Sequence, residues 1–170
     1  LVATYLLRHD TMAGELLAGV ALISFGLFIF EIWHEERTAR SRAFALLALT
    51  LISIVFWTVY NQVGTSFLLF TDRLVDRSVF GLLVPPSDFM SLNPFFILAM
   101  GGPFAALWVW LGRRGMNPSI PLKFVLGHLL LGAAFYTLVV AITSSPGEVP
   151  WPWLVLFFFL YTAAEMVLSP

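Results

Sequence analysis

The chain has no cysteine and few charges, and each shortage removes a class of function. Without thiols there can be no disulfide, no thiolate metal site and no cysteine nucleophile. Only 11% of residues are charged, against roughly 25% in soluble globular domains. The net charge of −1 leaves no basic surface for nucleic acid. What remains is 59% hydrophobic with a mean hydropathy of +0.90. This composition belongs to a membrane protein, and the lipid bilayer is its first partner.

A spanning helix needs about 20 apolar residues to cross about 30 Å of hydrocarbon. Residues 16–30 are free of charge and predict a helix from Thr11 to His34, with Asp10 or Thr11 as N-cap. Residues 43–71 carry no charge either, enough for about 43 Å of helix. That run must tilt, protrude or break near Gly64. Further spans are expected over about 88–112, 122–144 and 150–170, after one at about 41–71. Residues 1–7 read as the end of an earlier helix. Leu1 and Pro170 read as cut ends, so the sequence is expected to be a piece of a longer polytopic protein. The runs do not alternate as barrel strands must, so the fold class is all-α and polytopic.

Lys and Arg collect at Arg37, Arg40 and Arg42, and again at Arg113, Arg114 and Lys123. Two crossings separate the clusters, which places both on one side, predicted cytoplasmic.

Polar residues at membrane depth are the candidates for function. Glu165 stands alone in an apolar run, where an ionised carboxylate costs about 2.5–3.5 kcal/mol on insertion scales. A substrate, a proton or a buried cation elsewhere in the protein must offset that cost. Tyr60, Asn61 and Gln62 form a second group, followed by Thr65 and Ser66 at i,i+4 spacing from Asn61 and Gln62. They serve either as hydrogen-bond glue between helices or as a pocket, with Trp57 its aromatic wall. Asn93-Pro94 is either a cap with a first-turn proline or a kink that projects the amide. His128 is either an interfacial histidine or a proton relay. No His-x-x-x-His and no paired acidic motif appears, so an enzyme, a cofactor or a metal is not expected.

Phe56-Trp57-Thr58-Val59-Tyr60-Asn61-Gln62-Val63-Gly64-Thr65-Ser66 resembles the seventh transmembrane helix of the proton-dependent oligopeptide transporter family. In that family the helix reads aromatic-aromatic, two residues, aromatic, one residue, Gln, then Ser or Thr. Ser91-Leu92-Asn93-Pro94, with Pro103 to Trp108 and Gly112-Arg113-Arg114, resembles the eighth. Residues 121–127 resemble the start of the ninth, and Glu165 with Ser169-Pro170 the tenth.

The resemblance covers residues 56–170 and implies a major-facilitator fold, of which residues 37–170 are part of the C-terminal half. Residues 1–36 would hold the end of one helix and part of the hairpin that bacterial members carry between halves. It implies proton-coupled uptake of di- and tripeptides across the cell inner membrane, with no cofactor. The implied partners are small peptides, protons and the missing N-terminal half. By that resemblance Asn93 and Glu165 bind the peptide amino terminus, and the lone carboxylate of Glu165 remains the proton-coupling candidate. Trp57, Tyr60, Asn61 and Gln62 line or adjoin the pocket. The sequence departs from the family at Asn61, where many members have a coupling carboxylate, and at Ala164, where glycine is usual. A different small solute, such as nitrate or an amino acid, or a non-catalytic membrane subunit are the other readings.

Overall fold

A computed structural model describes residues 10–168. The expected helix end at 1–7 and the Ser169-Pro170 pair lie outside the described residues, as do the side chains of Asp10 and Thr11. Six helices follow in order: α1 (Asp10–His34), α2 (Arg37–Tyr60), α3 (Ser66–Leu74), α4 (Leu92–Arg113), α5 (Ile120–Ser144) and α6 (Pro152–Leu168). Among the described residues, four stretches are long and apolar enough to cross a membrane: Met12–His34, Arg37–Leu74, Pro86–Arg113 and Ile120–Ser144. The chain divides within α2, into a unit ending at Ala48 and a unit beginning at Leu49.

In the first unit, α1 is apolar on every face and leaves nearly all of its surface uncovered, with Ile32 the exception. Such a helix is stable where its solvent is lipid. Its C-terminal carbonyls lack helical partners, and Arg40 supplies donors to them. The Arg40 guanidinium donates to the Trp33 carbonyl at 2.9 Å and the Glu35 carbonyl at 3.1 Å, and lies over the Trp33 ring.

In the second unit α6 is the core element. Leu154, Phe157, Phe158, Tyr161, Thr162, Ala163, Ala164 and Val167 are all buried. It packs against both α4 and α5. The α5 seam is Gly127, Leu131, Ala134, Leu138 and Ala141, alternating four- and three-residue steps as a helix–helix stripe does. Small residues at its start bring the backbones close. A Cβ on Gly127 would lie 2.8 Å from Leu168 Cγ and 3.3 Å from the Ala164 carbonyl oxygen. Glycine at 127 thus lets α5 approach the α6 backbone at Ala164.

The long run 43–71 does break, and the break starts at Asn61 rather than at Gly64. Residues Asn61–Gly64 form a 3-10 turn, and Thr65 leaves helical geometry before α3 begins. Backbone carbonyls loosened at membrane depth need other donors. Asn61 Nδ2 donates to the Trp57 carbonyl at 2.7 Å, and Tyr161 Oη donates to the Tyr60 carbonyl at 2.9 Å.

Four two-residue strands lie in the connections, which the helical pattern did not foretell. Val75-Asp76 pairs in parallel with Val149-Pro150. Ser78-Val79 pairs with Leu82-Leu83 through Phe80 and Gly81, both at positive φ (52° and 82°). That is the geometry of a two-residue hairpin turn, for which glycine suits the second position.

Candidate functional site

The site grows from the last residue of α2, the first turn of α4 and the last turns of α6. Tyr60 ends α2 at the break, so its ring projects where the helix gives way. Asn93 is the second residue of α4, with Ser91 at the cap position and Pro94 in the first turn. The helix start and the first-turn proline are those of the cap reading, but Asn93 itself is not the cap. Its side chain makes no cap bond and crosses to two other helices. Glu165 follows Tyr161 by four residues and Thr162 by three, so all three share one face of α6.

Tyr60 Oη donates to Glu165 Oε2 at 2.5 Å. Asn93 Nδ2 lies 3.3 Å from the same carboxylate oxygen, 3.3 Å from Tyr60 Oη and 3.1 Å from Thr162 Oγ1. Tyr60 is clamped by ring stacking on Tyr161, with centroids 4.1 Å apart and planes at 15°, and on Phe56 from the preceding turn. Two neutral donors thus converge on one carboxylate oxygen. Among the described residues no Lys or Arg pairs with Glu165; the ion pair there is Arg77 with Asp72. The carboxylate is therefore held by neutral donors and has no cationic partner among the described residues.

A cavity of about 210 Å³ adjoins this cluster. Tyr60, Asn61, Met90, Asn93 and Tyr161 contribute to its wall, with Gly64 at the break. Glu165 stands behind Tyr60 and Asn93 and is half-buried rather than lining the cavity.

The structure brings Tyr60, Asn93 and Glu165 together and sends the other candidates elsewhere. Trp57 on α2 and Gln62 in the turn after it line a separate, shallow cavity of about 510 Å³, shared with Thr50, Ser53 and Thr58. Asn61 borders both cavities, but its amide is turned onto its own helix. Gln62 Oε1 accepts from Ser66 Oγ at 3.1 Å, closing the expected i,i+4 pair. Trp57 meets the cluster through the edge of its ring on Tyr60, at 5.1 Å between centroids. His128 bonds none of these polar groups: its ring nitrogens face the Phe124 carbonyl at 2.7 Å and the Ile52 carbonyl at 3.2 Å, and its ring meets Phe56 edge-on.

Sequence reasoning missed Thr162 and Tyr161. Their spacing from Glu165 was the available signal, since residues three and four apart share a helix face. Among the described residues, no three His, Asp or Glu side chains gather as metal ligands would.

The POT family profile matches residues 7–169. The chain belongs to the POT family. It is 34% identical to dipeptide and tripeptide permease A of Erwinia pyrifoliae, over 98% of this chain and 34% of that protein. It is 33% identical to the peptide transporter YePEPT of Yersinia enterocolitica, over 95% of this chain and 33% of that one. A crystal structure of a peptide transporter POT in complex with sulfate superposes with a TM-score of 0.79 and 28% identity, covering 99% of this chain and 38% of that chain. This POT chain spans about a third of the length of the curated relatives it matches. Its architecture is all-α and polytopic, part of a major-facilitator-type bundle.

Proposed function

We propose that the whole protein is a proton-coupled symporter for di- and tripeptides in the cell inner membrane. Tyr60, Asn93 and Glu165 would hold the peptide's amino terminus. The observation that carries this reading is the convergence of α2, α4 and α6 on one carboxylate oxygen beside a cavity. A carboxylate and an amide oxygen are acceptors matched to an ammonium group. Held in a low dielectric, the carboxylate is costly whenever no cation faces it. A proton on the carboxylate offsets the same cost, which makes Glu165 the candidate proton carrier as well as the ammonium acceptor.

The cavity is smaller than the roughly 300–1,000 Å³ of complete ligand sites. In transporters of this type the binding site lies between two repeats, and helices of the absent half would supply the other wall. Relatives named for dipeptide and tripeptide permeation support the choice of cargo. In this reading residues 1–36 belong to the connection between halves, residues 37–170 to part of the C-terminal bundle, and Trp57, Asn61 and Gln62 face the pathway.

The test is uptake of a radiolabelled dipeptide by the full-length transporter in proteoliposomes under an inward proton gradient. Glu165→Gln should lower uptake about a hundredfold at unchanged protein level, because removing one partner of a charged pair costs about 2–5 kcal/mol. Uptake equal to wild type would remove Glu165 from the mechanism. Competition by unlabelled nitrate or amino acids, without competition by dipeptides, would move the cargo to the other class.

A further inference from the structure

We propose that the cavity beside Tyr60 and Asn93 receives the side chain of the peptide's first residue. Gly64 sets how large that side chain can be. The inference rests on the reading of Asn93 and Glu165 as an ammonium site, and it names the part of the substrate that the same site selects by size.

Asn93 belongs to both places: its amide meets Glu165 Oε2, and it also lines the cavity. A peptide whose amine is held there sets its first α-carbon about 1.5 Å further on. The substituent on that carbon has the cavity beside it. In an extended peptide successive side chains point to opposite sides, so the second one is turned away from this wall. Val63, Met90, Phe158 and the Tyr161 ring supply apolar surface, and among the described residues no Asp, Glu, Lys, Arg or His lines the cavity. Such a wall suits an aliphatic, thioether or aromatic side chain, because an unpaired charge there would lose its water.

Gly64 contributes to the same wall with no side chain of its own. A Cβ built on it meets nothing beyond its chain neighbours within 4 Å, whereas at Gly127 it would lie 2.8 Å from Leu168 Cγ. Its backbone is outside the left-handed region, so a side chain brings no strain there. Neither packing nor backbone geometry therefore demands glycine at 64. What glycine leaves at this position is free volume in the wall of the cavity. A side chain can grow from it without first displacing its surroundings.

The experiment measures uptake kinetics of Gly64→Ala and Gly64→Leu in the full-length transporter in proteoliposomes. Two dipeptide series are compared: glycine, alanine, leucine or phenylalanine followed by a constant alanine, and alanine followed by the same four. Gly64→Leu should raise KM about tenfold for the peptide beginning with phenylalanine, the scale on which apolar pockets discriminate size. The peptide beginning with glycine should stay near wild type. Gly64→Ala should show the same order with a smaller change, and the reversed series should keep its wild-type ranking in both variants. A folding or insertion defect would instead lower Vmax for every peptide alike, at equal protein in the vesicles.

A wild-type size ranking in both variants, alongside loss of uptake in Glu165→Gln, would overturn the pocket and leave the ammonium site standing. Equal loss across both series, down to no uptake at all, would do the same, as would a change confined to the reversed series. Unchanged uptake in Glu165→Gln would overturn the ammonium site, and the assignment of the first side chain with it.

Discussion

Tyr60 and Asn61 are neighbours in the chain and belong to opposite worlds. Tyr60 joins groups more than thirty residues away: Asn93, Tyr161 and Glu165. Among the described residues, Asn61, with Gln62, Thr65 and Ser66, bonds within its own turn of chain, at separations of three or four residues. One cluster ties three helices to a carboxylate, and the other repairs the backbone of a broken helix. Polar residues at membrane depth therefore divide by what they satisfy. Long-range partners place a side chain against another element, whereas local partners replace hydrogen bonds that the backbone has given up.

Substitutions in the first cluster should outweigh those in the second. Asn93→Leu in the full-length protein should weaken dipeptide affinity about thirtyfold, since it takes a donor from both Glu165 and Thr162 and removes an acceptor from the cavity. Scintillation proximity binding would read this directly. A wild-type Kd would make Asn93 a packing residue.

Tyr60→Phe keeps both ring stacks and deletes one donor to Glu165. About a tenfold drop in affinity is expected from a hydrogen bond to a charged group. Uptake kinetics with an unchanged KM would mean that the stack, and not the hydroxyl, is what matters there.

Gly127→Val tests the scaffold behind the cluster. The added side chain must displace Leu168 and press on the Ala164 carbonyl, which should cost about 1–3 kcal/mol as overpacking does. Thermal melting of the purified transporter should fall by several degrees, while Gly132→Ala, which meets open space, should leave it unchanged. Equal melting temperatures for the two variants would contradict the close approach of α5 and α6.

The smallest effect is expected at Asn61→Ala. Its local bond to the Trp57 carbonyl resembles interhelical polar interactions in size, about 0.6 kcal/mol, so affinity should change less than threefold. A loss larger than that of Tyr60→Phe would erase the distinction between the two clusters.

The sequence made the membrane class and the isolated carboxylate legible, because charge is scarce and an acid in an apolar run is conspicuous. Asn93 and Tyr60 were visible as polar or amphipathic groups in the same way. Which of Tyr60, Asn61 and Gln62 meets Glu165 was not visible. Adjacent helical residues point about 100° apart, and no local pattern sets the rotation of α2 about its axis. Asn93 was weighed as a cap or a kink since both are local rules, and partners on other helices overrode them. Thr162 and Tyr161 stayed hidden because a threonine or an aromatic in an apolar helix is ordinary. The break of α2 fell three residues before the glycine because side-chain amides, not glycine's freedom, take over the carbonyls there.

The relation between peptide amine and Glu165 can be measured without transport. Binding of a dipeptide and of its N-acetylated form to the purified full-length transporter, by isothermal titration, compares a cationic with a neutral amino end. The wild type should favour the free amine by about a hundredfold, and Glu165→Gln should bring the two close to equality. Equal affinity of the wild type for both peptides would contradict the central claim that this carboxylate receives the ammonium group.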